Sequence, residues 1–194
     1  MRRKTFDALL TSAGLVLAVV LMAAGGLLAW AHNFVDDQVH SQLAAQKIYF
    51  PKAGSESLED PAVKPYLSQY AGQQLVNGAQ AEAYANHFIA VHIQGIAGGK
   101  TYSELSELSR ANPTDTKLAG QVQTVFRGET LRGLLLNAYA FWKMGQIALY
   151  AAIASFIAAA ILLTLSALGY AHLRRVPVEA EIMPKLTGPV PHTA

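Results

Sequence analysis

No cysteine occurs among the 194 residues. That excludes a disulfide framework, a thiolate metal site and a cysteine nucleophile. It leaves the redox compartment open, because a cysteine-free chain suits either side of a membrane. Charge is also scarce: 14% of residues are Asp, Glu, Lys or Arg, against roughly 25% in a typical soluble domain. With a formal net charge of +2 and no dense Lys/Arg cluster outside the terminal tails, nucleic acid is not an expected partner. Enzyme signatures are missing as well. There is no His-Glu-x-x-His, no Gly-x-Ser-x-Gly elbow and no pair of carboxylates in a recognisable catalytic setting. Gly98-Gly99-Lys100-Thr101 has the ending of a phosphate loop without the preceding strand or the first glycine at the required spacing.

What is present is hydrophobic length. Residues 8–31 (ALLTSAGLVLAVVLMAAGGLLAWA) and 146–171 (QIALYAAIASFIAAAILLTLSALGYA) carry no charge. A helix rising about 1.5 Å per residue crosses the roughly 30 Å hydrocarbon core in about 20 residues. Lipid requires each segment to satisfy its own backbone hydrogen bonds, which a helix does. Arg2, Arg3 and Lys4 precede the first segment, and Arg174 and Arg175 follow the second. Short basic flanks stay in the cytoplasm, so residues 1–7 and 172–194 are expected inside and residues 32–143 outside. Nine Lys/Arg balance ten Asp/Glu in that middle region. Trp30, Tyr139, Phe141, Trp142 and Lys143 fall at one expected membrane interface, where amphipathic side chains settle. A second reading of residues 1–31 stays open. The basic start, apolar run and Ala29-Trp30-Ala31 also fit a cleaved secretory signal, although the run exceeds the usual signal core of about 7–15 residues.

The two segments offer small-residue ridges to each other: Gly14 and Ala18 on the first, Ala151, Ser155 and Ala159 on the second. Between them the chain reads as helix throughout. Val35, Val39 and Leu43 carry the first helix outward to about Lys47, and IYFPKAGSES then forms a loop. Asp60-Pro61 reads as the start of a helix running to about Val76, with Asn77-Gly78 as its ending turn. AQAEAYANHFIAVHIQGIA is a further helix closed by Gly98-Gly99. Thr101 and Glu104 form a capping box for a short helix to Arg110. Asn112-Pro113 stops that helix, and another begins near Asp115. Gly128 either interrupts it or is tolerated at about 1 kcal/mol. Beyond it, Leu131, Leu134, Leu135, Ala138, Phe141 and Trp142 keep helical spacing into the second apolar segment, and the face Leu131/Leu134/Leu135 is expected to meet Val35/Val39/Leu43. No strand is evident. The tail VPVEAEIMPKLTGPVPHTA has the composition of a disordered segment.

The stretch HNFVDDQVH sets His32, Asp36 and His40 at four-residue intervals, on one side of a helix. His32 and His40 are about 12 Å apart along it, too far to share one metal held at about 2.0–2.1 Å. A catalytic site would need ligands from His87 or His92, which lie about 140° apart around their own helix. No metal or other cofactor is therefore expected, and the five residues stand as candidates only for the rival reading. His92 shares a face with Phe88, Ile89 and Ile96 and reads as a hydrogen-bonded core residue. Glu129 and Arg132 are spaced to pair, and Arg127, Arg132 and Lys143 could meet lipid phosphates.

The stretches MRRKTFDALL, DDQVHSQLAAQKIYFP, YAGQQLVNGAQAEAYANHFIAVHIQGIAGGKTYS and FRGETLRGLLLNAYAFWKMGQIAL resemble those of an uncharacterised family of small actinobacterial two-span membrane proteins. The resemblance covers most of the chain up to the second apolar segment and implies the same topology. Some members carry the label aromatic ring-opening dioxygenase, which implies iron held by histidines and a carboxylate. The residues here assemble no such set, so the resemblance adds no catalytic residue. The expectation is an all-α membrane protein with two transmembrane helices extended into a small extracytoplasmic helical domain. Its expected role is a non-enzymatic interaction or assembly module of the cell envelope. The bilayer and a membrane or envelope protein are its partners, and a homo-oligomer is a further option. A metal-dependent enzyme and a ligand-binding sensor are the alternatives.

Overall fold

A computed structural model describes residues 3–177. The disorder expected of the Pro-rich tail falls largely on residues 178–194 and, with the flanking Arg2, lies outside the described residues. The chain is all-α. Its elements are α1 (Arg3–Ala45), α2 (Glu56–Glu59), α3 (Lys64–Leu67), a 3-10 turn at Ser68–Tyr70 and α4 (Gly78–Tyr84). A π turn (Ala85–Ile89), α5 (Ala90–Ala97), α6 (Tyr102–Ala111) and α7 (Thr116–Leu173) complete the order. No strand occurs among the described residues. An isolated bridge joins Tyr49 to Gln74. Helices α1 and α7 are long and apolar enough to cross a membrane. Two compact units form: Met1–Ala29 with Leu149–Ala194, and Trp30–Ala148.

In the first unit, α1 and α7 run antiparallel along a seam of small residues. Thr11, Ala18 and Gly25 are buried on α1, and Ala152, Ala159, Ser166 and Leu173 on α7. Both sets repeat every seven residues, the spacing of left-handed helix packing. Close approach explains the composition. A Cβ on Gly14 would sit 2.9 Å from Ser166 Oγ, and one on Gly169 would sit 2.5 Å from Thr11 Oγ1. Ser166 Oγ donates to the Thr11 carbonyl at 3.2 Å, and the Ser12 and Tyr170 hydroxyls meet at 3.1 Å. Of the small residues singled out from the sequence, Ala18 and Ala159 are fully buried and Gly14 faces Ser166. Ala151 and Ser155 are half-buried beside Ala152.

In the second unit the core gathers Val39 and Leu43 of α1, Phe50, Leu58, Val63, Leu67 and Leu75 of the connecting chain, Ile89 and Ile93, and Leu135 of α7. Burying each such side chain is worth about 1.5–3 kcal/mol before entropy is subtracted. The expected meeting of the α1 and α7 faces therefore occurs, with one correction. Leu134 is 59% exposed, because the stripe on α7 runs through Leu131, Leu135, Ala138 and Trp142. Leu134 lies one residue, about 100°, off that line.

The helix expected from Asp60 to Val76 is not formed. Asp60 instead ends α2, with extended backbone (φ −55°, ψ 126°). A residue before proline avoids the helical region, and Asp60 Oδ1 accepts from the Ala62 N–H at 2.8 Å to make a side-chain turn. Ser57, expected in a loop, lies in α2. After the short α3 and the 3-10 turn, Gly72 takes φ +70° and the chain reverses. Residues 48–51 and 72–75 then pair in extended form through Phe50 N–H to Gln73 O (2.9 Å), Leu75 N–H to Ile48 O (2.9 Å) and Gly72 N–H to Pro51 O (3.0 Å). Gln74 Nε2 donates to the Ala44 carbonyl at 2.7 Å, satisfying an orphan group at the end of α1.

Asn77-Gly78 is also corrected: it begins a helix. The Asn77 side chain accepts from the Gln80 N–H at 2.9 Å as an N-cap. Gly78 is required because a side chain there would overlap Trp142. The following helix runs to Ala97 as expected, with the π turn inserted, and Gly98 ends it in the left-handed region (φ +59°). The Thr101/Glu104 capping box is present. The hydrogen bond from the Thr101 backbone, then that from its side chain, hold the Glu104 carboxyl below its ordinary pKa. Helix α7 starts after Asp115, whose Oδ1 accepts from the Leu118 N–H at 2.9 Å. It passes Gly128 unbroken, since a bare Cα there admits Ile93 of α5.

Candidate functional site

The His32/Asp36/His40 row is built by α1 and splits apart in chemical terms. His32 is half-buried, and its Nδ1 lies 3.0 Å from the Gly145 carbonyl of α7. Gly145 allows this, because a Cβ there would crowd Val35 at 3.1 Å. Asp36 and His40 are exposed. Two turns along the helix, His40 has no reason to converge on His32.

His87 and His92 are likewise held elsewhere. His87 stacks on Tyr66 with ring centroids 3.5 Å apart and planes 5° from parallel. His92 is exposed, which corrects the expectation that it lies in the core. Its Nδ1 sits 2.8 Å from the Phe88 carbonyl one turn back, and its ring leans on Phe88 at 4.3 Å. Its neighbour Ile93 takes the buried position instead. The π turn adds a residue between α4 and α5 and so rotates the face that sequence periodicity assigns. Among the described residues, no three of the His, Asp and Glu side chains gather to hold a metal ion.

The polar constellation that does assemble was only half visible in the sequence. The expected Glu129–Arg132 pair is long, at 3.4 Å, with both side chains partly exposed, and contributes little. The other branch of Arg132 reaches the π turn. Its Nη2 donates to Asn86 Oδ1 at 3.2 Å, and Asn86 Nδ2 donates to Glu82 Oε1 at 2.9 Å. Arg132 Nε is buried and meets no acceptor among the described residues. This relay ties α4 and the π turn to α7. It contains no nucleophile–base pair. Nearby Tyr84 packs edge-on to Phe50 at 5.3 Å, and burial raises its phenol pKa, which keeps it neutral. Separation hid the link: 46 residues divide Asn86 from Arg132.

The aromatic positions expected at a membrane interface fall in two environments. Trp30 is exposed and stacks on Phe34 at 5.6 Å, and Lys143 is exposed. Trp142 is half-buried against Gly78 and the core, with Tyr139 beside it at 6.3 Å. No family model, no curated protein and no solved structure matches the chain.

Proposed function

We propose that the protein is a two-span integral membrane protein with both termini in the cytoplasm. Residues 32–143 then form a helical domain on the far side of the cell membrane. There they act as a non-enzymatic interaction or assembly module of the cell envelope. The observation that carries the reading is the exposure of apolar helix faces. In α1 and α7 only 11% of the most apolar 18-residue stretch is buried. The core helix of a soluble protein of this hydropathy would be mostly covered. Here Leu10, Val16, Val20 and Leu27 on α1, with Ile157 and Leu168 on α7, each expose more than half their surface. Lipid covers such faces without cost, whereas water does not.

The module reading draws on how the polar residues are used. Among the described residues, His32 and His87 are spent on contacts between elements, His40, His92 and His172 face solvent, and the Arg132 relay joins helices. A membrane or envelope protein is the partner that suits a domain held at the bilayer, and self-association is the second option. The rival is a metal-dependent enzyme using His32, Asp36, His40, His87 and His92. Full-length protein purified in detergent without chelator is expected to carry iron and zinc well below one equivalent. One equivalent of either metal, lost in His40→Ala, would overturn the module in favour of the enzyme.

A further inference from the structure

A groove of about 700 Å3 opens on the first unit, at the end where α1 begins and α7 finishes. Its volume is within the range of about 300–1,000 Å3 typical of sites for small molecules. The cause is local composition. Ala13, Gly14 and Gly169 leave the helix surface low, and Leu17, Leu162 and Leu165 rise on either side. The floor holds the Ser166–Thr11 hydrogen bond, already satisfied and buried. One end is polar: Arg3, Asp7 and His172 line it. Arg3 Nε is 3.8 Å from Asp7 and its side chain remains 54% exposed, so the guanidinium keeps donors free to turn outward. Around that end the described charges are Arg3, Lys4, Arg174 and Arg175 against Asp7.

We infer that this groove binds an anionic phospholipid, one acyl chain lying along Ala13, Gly14, Leu17 and Leu165 and the phosphate meeting Arg3 and His172. The inference rests on the two-span reading above. An acyl chain suits an apolar channel bounded by a polar mouth, and the surplus of cations at the mouth selects negative charge. A second copy of the chain fits less well. Inserted with the same orientation, it would bring its own four cations to the level of these four, and like charges repel.

The test uses the full chain reconstituted with equal phosphatidylglycerol and phosphatidylcholine, then released for native mass spectrometry. One retained phosphatidylglycerol per chain is expected, favoured over phosphatidylcholine. Arg3→Gln should weaken that preference roughly five-fold, the factor for one basic residue at an anionic surface. Ala13→Phe, at an exposed groove position, should abolish retention while leaving insertion intact. Equal retention of both lipids, or retention unchanged in both variants, refutes the lipid site. A dimer that Ala13→Phe converts to monomer also refutes it and assigns the groove to a second copy. A chain recovered free of vesicles contradicts the two-span reading itself.

Discussion

Gly78→Ala is expected to destabilise the 30–148 unit by about 3 kcal/mol, the upper end of the usual cost of overpacking a well-filled site. On propensity alone the sign would be opposite, since alanine exceeds glycine in a helix by about 1 kcal/mol. Geometry decides the matter. The new methyl group would overlap Trp142 Cβ, which the α7 backbone fixes and no rotamer change can withdraw, and the indole attached to it. Either α4 moves from α7, or Trp142 leaves its place on the core. A double-mutant cycle isolates the cause. In a Trp142→Gly background, which removes Cβ as well as the indole, the same Gly78→Ala change is expected to be neutral or stabilising, a coupling at the large end of the roughly 0.5–3 kcal/mol seen for residues in contact. Hydrogen exchange at residues 78–97 of the detergent-solubilised chain reads this unit without interference from the long apolar helices. Equal destabilisation in both backgrounds would show that Trp142 does not lie on Gly78.

The second large effect concerns the seam of the first unit. Gly14 and Ser166 face each other closely enough for a paired cysteine replacement to close a disulfide, which needs Cβ atoms about 3.5–4.5 Å apart. The chain has no cysteine of its own to compete. Gly14→Cys with Ser166→Cys is expected to cross-link nearly completely in isolated membranes under mild oxidation. Adding Gly169→Leu should cut the yield several-fold, because its side chain collides with Thr11 one turn away. Mobility on a reducing against a non-reducing gel, after a cleavage placed in the 32–143 region, measures it. No cross-link in the two-cysteine variant would contradict the antiparallel register.

Much of this architecture was legible because it depends on local chemistry. The Thr101/Glu104 box, the Asp115 cap and the left-handed Gly98 each complete a hydrogen-bonding pattern within a few residues. The apolar lengths of α1 and α7 needed only composition. The misreadings share a different origin. Asp60-Pro61 fits both a helix start and the turn that precludes one, and Asn77-Gly78 fits both a helix end and a helix start. Which applies was decided by Val63, Leu67 and Leu75 packing into the core and by Trp142 arriving from α7. The pairing of residues 48–51 with 72–75 is too short to show alternation in sequence. For the candidate site, four-residue spacing within α1 was visible. The partners that absorb it, Gly145 for His32 and Asn86 for Arg132, come from α7 and the π turn and leave no local signal.

The central claim is that α1 and α7 each cross a bilayer and set residues 32–143 on the side opposite the termini. Single cysteines at Thr114→Cys and Thr5→Cys, both exposed positions, report it directly with a membrane-impermeant maleimide. In intact cells the account predicts labelling at position 114 alone, with position 5 labelled only after permeabilisation. Labelling at position 5 with protection at position 114, or a chain that stays in the aqueous fraction without lipid or detergent, would contradict it.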